Sequence, residues 1–263
     1  MGLILRNNTI VKNLRVGPLS GGGGSGGEGG GGGGINSTGL FLHYDIGDTS
    51  SYPGSGTTLT NLVNSDSGYN ATINNTPTYN GSGASAYLSV SSNSVITANL
   101  GSLLDGVTAH TTLSHWVRPT GTGAAQLFRR YDGNWPIQGG SVSGFWEIES
   151  DGNIVSKYWG ADVQSRWQSL NINGTYSNTW VNIVMTYGPT GGLKLYLNGV
   201  EDTGQSISTA YGSGTNTLDA INEFEIMEPK TYMEFAHFAY YTRELSASEV
   251  SSNFDALKTR YGY

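Results

Sequence analysis

The stretch that most restricts what this chain can fold into is residues 180–199, WVNIVMTYGPTGGLKLYLNG. In its first half Trp180, Asn182, Val184 and Thr186 fall on one side of an extended chain, and Val181, Ile183, Met185 and Tyr187 on the other. In its second half Leu193, Leu195 and Leu197 alternate with Lys194, Tyr196 and Asn198. A period of two matches a strand and not a helix. Between the halves, Gly188, Pro189, Gly191 and Gly192 supply turn chemistry, and Asn198-Gly199 is the strongest short hairpin signal a sequence can carry. The segment is expected to be a β-meander with one half-buried face.

The rest of the chain points the same way. Forty glycines and a charged fraction of 13% fit many short strands joined by tight turns. Strands are expected at 37–46, 111–119, 126–131, 144–149, 153–159, 223–227 and 233–241, about a dozen in all, packed as two sheets. Near the C-terminus Ser246 followed by Glu249 is a capping box, and Val250, Phe254, Leu257 and Tyr261 recur at helical spacing. A helix over 247–261 follows, expected to cover an edge or an end of the sandwich. There is no cysteine, so neither a disulfide nor a thiolate–metal site holds the fold.

The hairpin carries a resemblance. A Trp opening an aliphatic strand, a Gly-rich turn and then LKLYLNG with Val200 is similar to the central hairpin of laminin-G-like, concanavalin-like jelly-roll domains. Residues 112–121 (TLSHWVRPTG) and 238–246 (FAYYTRELS) match in the order that family requires. Tyr44-Asp45, the loop SSYPGSGTT at 50–58, residues 61–64 and the PTY of 77–79 resemble the opening of laminin-G-like domains in structural proteins of tailed bacteriophages. The resemblance implies an all-β, two-sheet antiparallel jelly-roll sandwich over 35–263, with the C-terminal helix and an extended N-terminal arm. It also implies an acidic segment associated with calcium. The matching region here, residues 87–95, holds no carboxylate, so neither calcium nor another cofactor is expected.

Residues 1–20 form the arm. Leu3, Ile4, Leu5, Ile10, Val11, Leu14, Val16 and Leu19 make it apolar, yet it is too short for a core of its own. These residues are expected to anchor the chain on a partner or a sister subunit, the alternative being an added edge strand. Residues 21–34 follow, with twelve glycines in fourteen positions. As a coil this run reaches about 20 Å. Fixing it is costly, because glycine loses the most freedom, so order there needs a groove or neighbouring copies. Met1 to Arg6 lacks the apolar run of a signal peptide and no later stretch is long and apolar enough to cross a bilayer, so neither secretion by the general route nor a membrane partner is expected. The formal charge of −7 divides into +2 over residues 1–34 (Arg6, Lys12, Arg15 against Glu28) and −9 over the remainder, without the dense basic patch that nucleic acid requires.

Two carboxylate sets bear on chemistry. Glu223, Glu225 and Glu228 resemble the catalytic strand of concanavalin-like glucanases, which would make Glu223 the nucleophile and Glu228 the acid/base of a retaining reaction. A Glu at the middle position, Pro229 directly after, and a place near the C-terminus depart from that motif, and no catalytic residue is expected. Glu147, Glu149 and Asp151 read as a solvated strand face. His43, His110, His115 and His237 show no metal-ligand spacing, and each reads as a packed or rim residue. Among the aromatic residues, Trp116, Trp146 and Trp180 are expected in the core, while Trp135, Trp167, Tyr131 and Tyr158 are the candidates for glycan contact.

The combined reading is a non-enzymatic virion structural protein of a tailed phage. It would be made in the host cytoplasm and displayed on the particle surface as a capsid decoration or head-fibre-type protein. Its expected partners are capsid or other virion proteins, sister copies in a homo-oligomer, by preference a trimer, and surface glycans. The alternatives are a tail or receptor-binding fibre component, or a glycan-binding module or glucanase.

Overall fold

The computed structural model describes residues 34–75, 77–90, 94–99, 110–121, 125–131, 143–148, 154–160, 163–168, 175–188, 192–203, 206–207, 223–229 and 233–263. In chain order its strands are β1 (Leu40–Asp45), β2 (Thr58–Leu59), β3 (Ala71–Asn74), β4 (Thr78–Asn80), β5 (Tyr87–Val90), β6 (Val95–Asn99), β7 (Thr111–Pro119), β8 (Ala125–Tyr131) and β9 (Ser143–Ile148). Then come β10 (Ile154–Gly160), β11 (Val163–Gln168), β12 (Val181–Gly188), β13 (Gly192–Leu197), β14 (Val200–Glu201), β15 (Ser206–Ile207), β16 (Glu223–Pro229) and β17 (Met233–Tyr241). Helix α1 (Ala247–Leu257) continues into a 3-10 turn, Lys258–Tyr261. The arm and all of the polyglycine run but Gly34 lie outside the described residues.

An eight-stranded sheet runs β14-β13-β12-β7-β17-β5-β4, with β1 also paired to β17. A nine-stranded sheet runs β15-β11-β10-β9-β8-β16-β6-β3-β2. The pairings are antiparallel, and the two inner faces meet in one core that includes Leu42, Tyr44, Leu113, Val117, Phe128, Ile148, Ile183, Phe224, Ile226, Phe235 and Phe238. This is the expected all-β, two-sheet jelly-roll sandwich with a C-terminal helix.

The meander at 180–199 forms as an antiparallel hairpin, with Ile183 opposite Leu197 and Tyr187 opposite Leu193. Asn198 and Gly199 take φ of 50° and 79°, the two positive values that a tight right-twisted hairpin needs. One expectation fails. The meander is read from the sequence as having one half-buried face, but Val181 to Thr186 are buried in succession. The reason is α1, which covers the outer face of the eight-stranded sheet instead of an edge or an end. Val250 packs with Val184, Tyr196, Ala239, Tyr241 and Leu245, while Leu257 and Tyr261 pack with Trp116 and Ala236. Trp116 is fully buried there, stacked on Tyr261 with ring centroids 4.2 Å apart. Burying such side chains is worth about 1.5–3 kcal/mol each, so the helix is part of the core.

The helix begins where its capping box predicts. Glu249 N–H donates to Ser246 Oγ at 3.3 Å, and Ser246 N–H donates to Glu249 Oε2 at 2.9 Å. It passes so close to the β13–β14 turn that a Cβ on Gly199 would lie 3.0 Å from Phe254 Cβ.

Candidate functional site

α1 covers one sheet, and the described outer-face residues of β2, β3, β6 and β16 in the other sheet are exposed or half-buried. Thr58, Thr72, Asn74 and Asn99 are exposed on it, and Val95, Thr97 and Glu225 are half-buried, whereas the alternate residues Leu59, Ala71, Ile73, Ile96 and Ala98 are core. β16 runs through this sheet between β8 and β6. Glu223 and Glu228 are five residues apart, an odd separation that puts residues of a regular strand on opposite faces. A register shift between Glu225 and Met227 changes this: Ile226 and Met227 are both fully buried in the core. A matching shift lies between Gln126 and Phe128 on β8, where Leu127 and Phe128 are both core. Bulges re-aim the residues that follow them.

The consequence is a polar row on one face. Glu223 pairs with Tyr131 and Asn99, Glu225 with Arg129 and Thr97, and Glu228 with Gln126. Arg129 and Gln126 pair onward with Phe145 and Glu147 of β9, two residues that share a face. Glu223, Glu225, Glu228 and Glu147 therefore occupy one face, with Arg129, Gln126 and Tyr131 between them. Residues that pair across strands stand about 5 Å apart, within reach of one sugar ring. The two carboxylate sets, separate in the sequence, share a register here, Glu147 and Glu228 both pairing with Gln126; Glu149 and Asp151 lie outside the described residues.

A second group lies beside the helix. The Arg118 guanidinium sits 5.1 Å from the ring centroids of both Tyr87 and Trp180 and pairs with Glu234, which raises its pKa. Trp180 is half-buried and not core as expected, because it meets Tyr87 edge-on at 5.5 Å and leaves one side to Arg118.

The third group is buried at the base of the C-terminal turn. Leu42 and Tyr44 point into the core, so His43 and Asp45 of β1 fall on the side of Arg260. Arg260 Nη1 and Nη2 donate to the two oxygens of Asp45 at 2.8 and 2.9 Å, and its Nε donates to the Ala84 carbonyl at 2.8 Å. His43 Nε2 lies 2.9 Å from His237 Nε2, and one ring nitrogen of each histidine and a carboxylate oxygen of Asp45 lie within 4.8 Å of one another. Burial lowers the pKa of both histidines, and the His43 ring and Arg260 lower that of His237 further. His115, on the core side, is held down to about 4 by burial.

The histidines were expected as isolated packed or rim residues. Packing is observed, but 194 residues of sequence separate His43 from His237, and no local spacing could reveal that they meet. Their junction is set by β17, which pairs with β5 at Met233 to Phe235, shifts register against β7 after Phe235, and then pairs with β1.

A family model described as the concanavalin A-like lectin/glucanases superfamily matches residues 82–251, well over half of the chain. The chain belongs to this superfamily. Solved structures give the same fold. The receptor-binding domain of botulinum neurotoxin C/D mosaic serotype superposes with a TM-score of 0.57 at 17% identity, over 83% of this chain and 51% of that one. Trypanosoma rangeli sialidase gives 0.56 at 14% identity, over 87% of this chain and 34% of that one. A botulinum serotype D ligand-binding domain solved with N-acetylneuraminic acid gives 0.54 at 16% identity, over 82% and 50%. The chain thus spans about half the length of the toxin domains it matches. No curated protein sequence matches it.

Within this lectin-like sandwich the three described glycan candidates do not share a face. Tyr131 falls in the polar row beside Glu223. Tyr158 and Trp167 fall at register positions of the opposite face, the one that carries Ile148 and Phe128, through pairing with Gly144, Ser156 and Trp146. Trp135 lies outside the described residues. The row's other members, Arg129, Gln126, Thr97 and Asn99, drew no notice in the sequence because nothing marks a polar strand residue as a ligand contact until its neighbours are known.

Proposed function

We propose that this lectin-like domain is a non-enzymatic carbohydrate-recognition sandwich displayed on a tailed-phage virion, as a capsid decoration or head-fibre-type protein. The observation that carries the recognition half is the division of labour between the two sheets: α1 covers the outer face of one, and the other places Glu223, Glu225, Glu228, Arg129, Gln126, Tyr131, Thr97 and Asn99 at register positions of one face. Alternating hydrogen-bonding groups with an aromatic at one end suit a sugar, which offers hydroxyls at its rim and apolar C–H faces. The arm and the glycine run support the display half, with residues 1–20 seated on capsid proteins or sister copies of a trimer.

The test compares full-length protein with a version lacking residues 1–34, scored for oligomeric state by light scattering and for incorporation into particles. Loss of assembly with an intact sandwich is the expected result; unchanged assembly would overturn the display half. Glycan-array binding lost in Arg129→Ala supports the recognition half, and binding unchanged by that substitution overturns it.

The paired bulges favour a second reading, a glucan hydrolase with Glu223 as nucleophile and Glu228 as acid/base, since they give both residues the same face. Laminarin cleavage abolished by Glu223→Gln would establish that reading, and no cleavage by the intact protein would dismiss it.

A further inference from the structure

The pair of imidazoles under the C-terminal turn is built for more than packing. We propose that His43, His237 and Asp45 form a binding site for a divalent transition metal of the zinc type, clamping β1 to β17 beneath Arg260.

The two Nε2 atoms face each other at 2.9 Å, so a single proton lies between them. Two imidazole nitrogens bound to one tetrahedral zinc at 2.0–2.1 Å stand about 3.4 Å apart, so the rings must separate by about half an ångström, and the ion then sits to one side of the line on which that proton now lies. The displaced proton moves to Nδ1 of the same ring, leaving both rings neutral and both Nε2 lone pairs directed at the metal. Asp45 brings the third ligand, an oxygen within 4.8 Å of a ring nitrogen of each histidine, which coordination at 2.0–2.2 Å would draw inward. Two imidazoles and a carboxylate are a borderline donor set, which suits zinc, cobalt or nickel better than calcium or magnesium.

Arg260 is the objection to such a site, since it holds both carboxylate oxygens of Asp45. A carboxylate has lone pairs for both partners, one oxygen on the metal and the other on the guanidinium, and the Ala84 carbonyl keeps the Arg260 Nε–H in place. Asp45 and Asp48 both act on His43 and Arg260, so a dication takes a local sum of two negative charges and one positive from −1 to +1. His43 retains 8% of its surface, a way in from solvent, while His237 retains 1%. The ion would bridge residues 194 apart in sequence, so its binding energy would be folding energy.

The test uses the full chain, stripped with chelator. Cobalt(II) is added first, because four-coordinate cobalt has intense visible d–d bands; a 1:1 titration displaced by zinc is expected. Zinc at a hundred-fold excess over its Kd should raise Tm by about 5 °C. His43→Gln and His237→Gln should each abolish both signals, while His110→Gln, altering a histidine outside the cluster, should leave them intact. Should the glutamine variants misfold, nitrogen-15 NMR of the wild-type imidazoles decides: zinc must move the His43 and His237 ring resonances. No cobalt band in the wild type, a band surviving in the double variant, or unmoved ring resonances would each overturn the site.

Discussion

Arg260→Ala tests whether the C-terminal turn is a structural pin or an ornament. Asp45 is completely buried and Arg260 is 9% exposed, and the pair shares two hydrogen bonds of 2.8 and 2.9 Å. Removing the guanidinium strands a carboxylate that keeps the backbone N–H of Gly47 as a donor, at 2.9 Å. Breaking one partner of a buried pair costs roughly 3–5 kcal/mol, more than an exposed ion pair by several-fold, because the other charge stays buried. For a domain of this size that is a fall in Tm of roughly 10 °C. Guanidinium unfolding should show the midpoint falling with little change in slope. Arg260→Lys should recover only part of the loss, because an ammonium cannot grip both oxygens and the Ala84 carbonyl together. In the double-mutant cycle, Asp45→Asn with Arg260→Met should cost less than the sum of the single changes. A loss under about 1 kcal/mol for Arg260→Ala, or an additive cycle, would show that water reaches the pair and that the pin reasoning is mistaken.

Three further outcomes follow from α1 and its seat. Ser246→Ala removes the acceptor for Glu249 N–H and should cost about 1 kcal/mol by chemical denaturation. Gly199→Ala meets both a φ of 79° and Phe254 Cβ at 3.0 Å, so it should destabilise by about 1–3 kcal/mol, with hydrogen exchange speeding up in α1 before the sheets. Hydrogen bonds from Arg243 hold Glu249 at about 2, below its usual 4.5, so its contribution is present above pH 4.5 and lost as pH falls from 4.5 to about 2. Arg243→Met should flatten that acid limb in a pH series of thermal melts, and an unchanged limb would refute the assignment.

The strands were legible because their cause is local. Alternation at 111–119 and 233–241, turn residues at Asn198-Gly199 and the Ser246–Glu249 box each act within a few residues, and each appears where the sequence places it. The same locality explains the errors. Val181 to Thr186 read as a half-buried strand because a period of two tells which residues share a face, not whether a second layer covers the polar-looking one. Asn182 is buried because it donates to Ser114 Oγ and to the His115 carbonyl, and α1 closes over the sheet beyond it.

What the sequence determined by itself was therefore the class of fold, the central hairpin, the cap of the last helix and membership of a lectin-like superfamily. The tertiary structure decided which faces are covered and which distant residues meet. The bulges on β16 and β8 bring Glu223, Glu225, Glu228 and Glu147 to one face against the parity of their numbering. The register of β17 brings His237 to His43 and Asp45. Both depend on how one strand slips by one residue against another, at Ile226-Met227 and Leu127-Phe128 in the first case and at Phe235-Ala236 in the second, where two successive residues are buried, and such packing has no signature in local residue spacing.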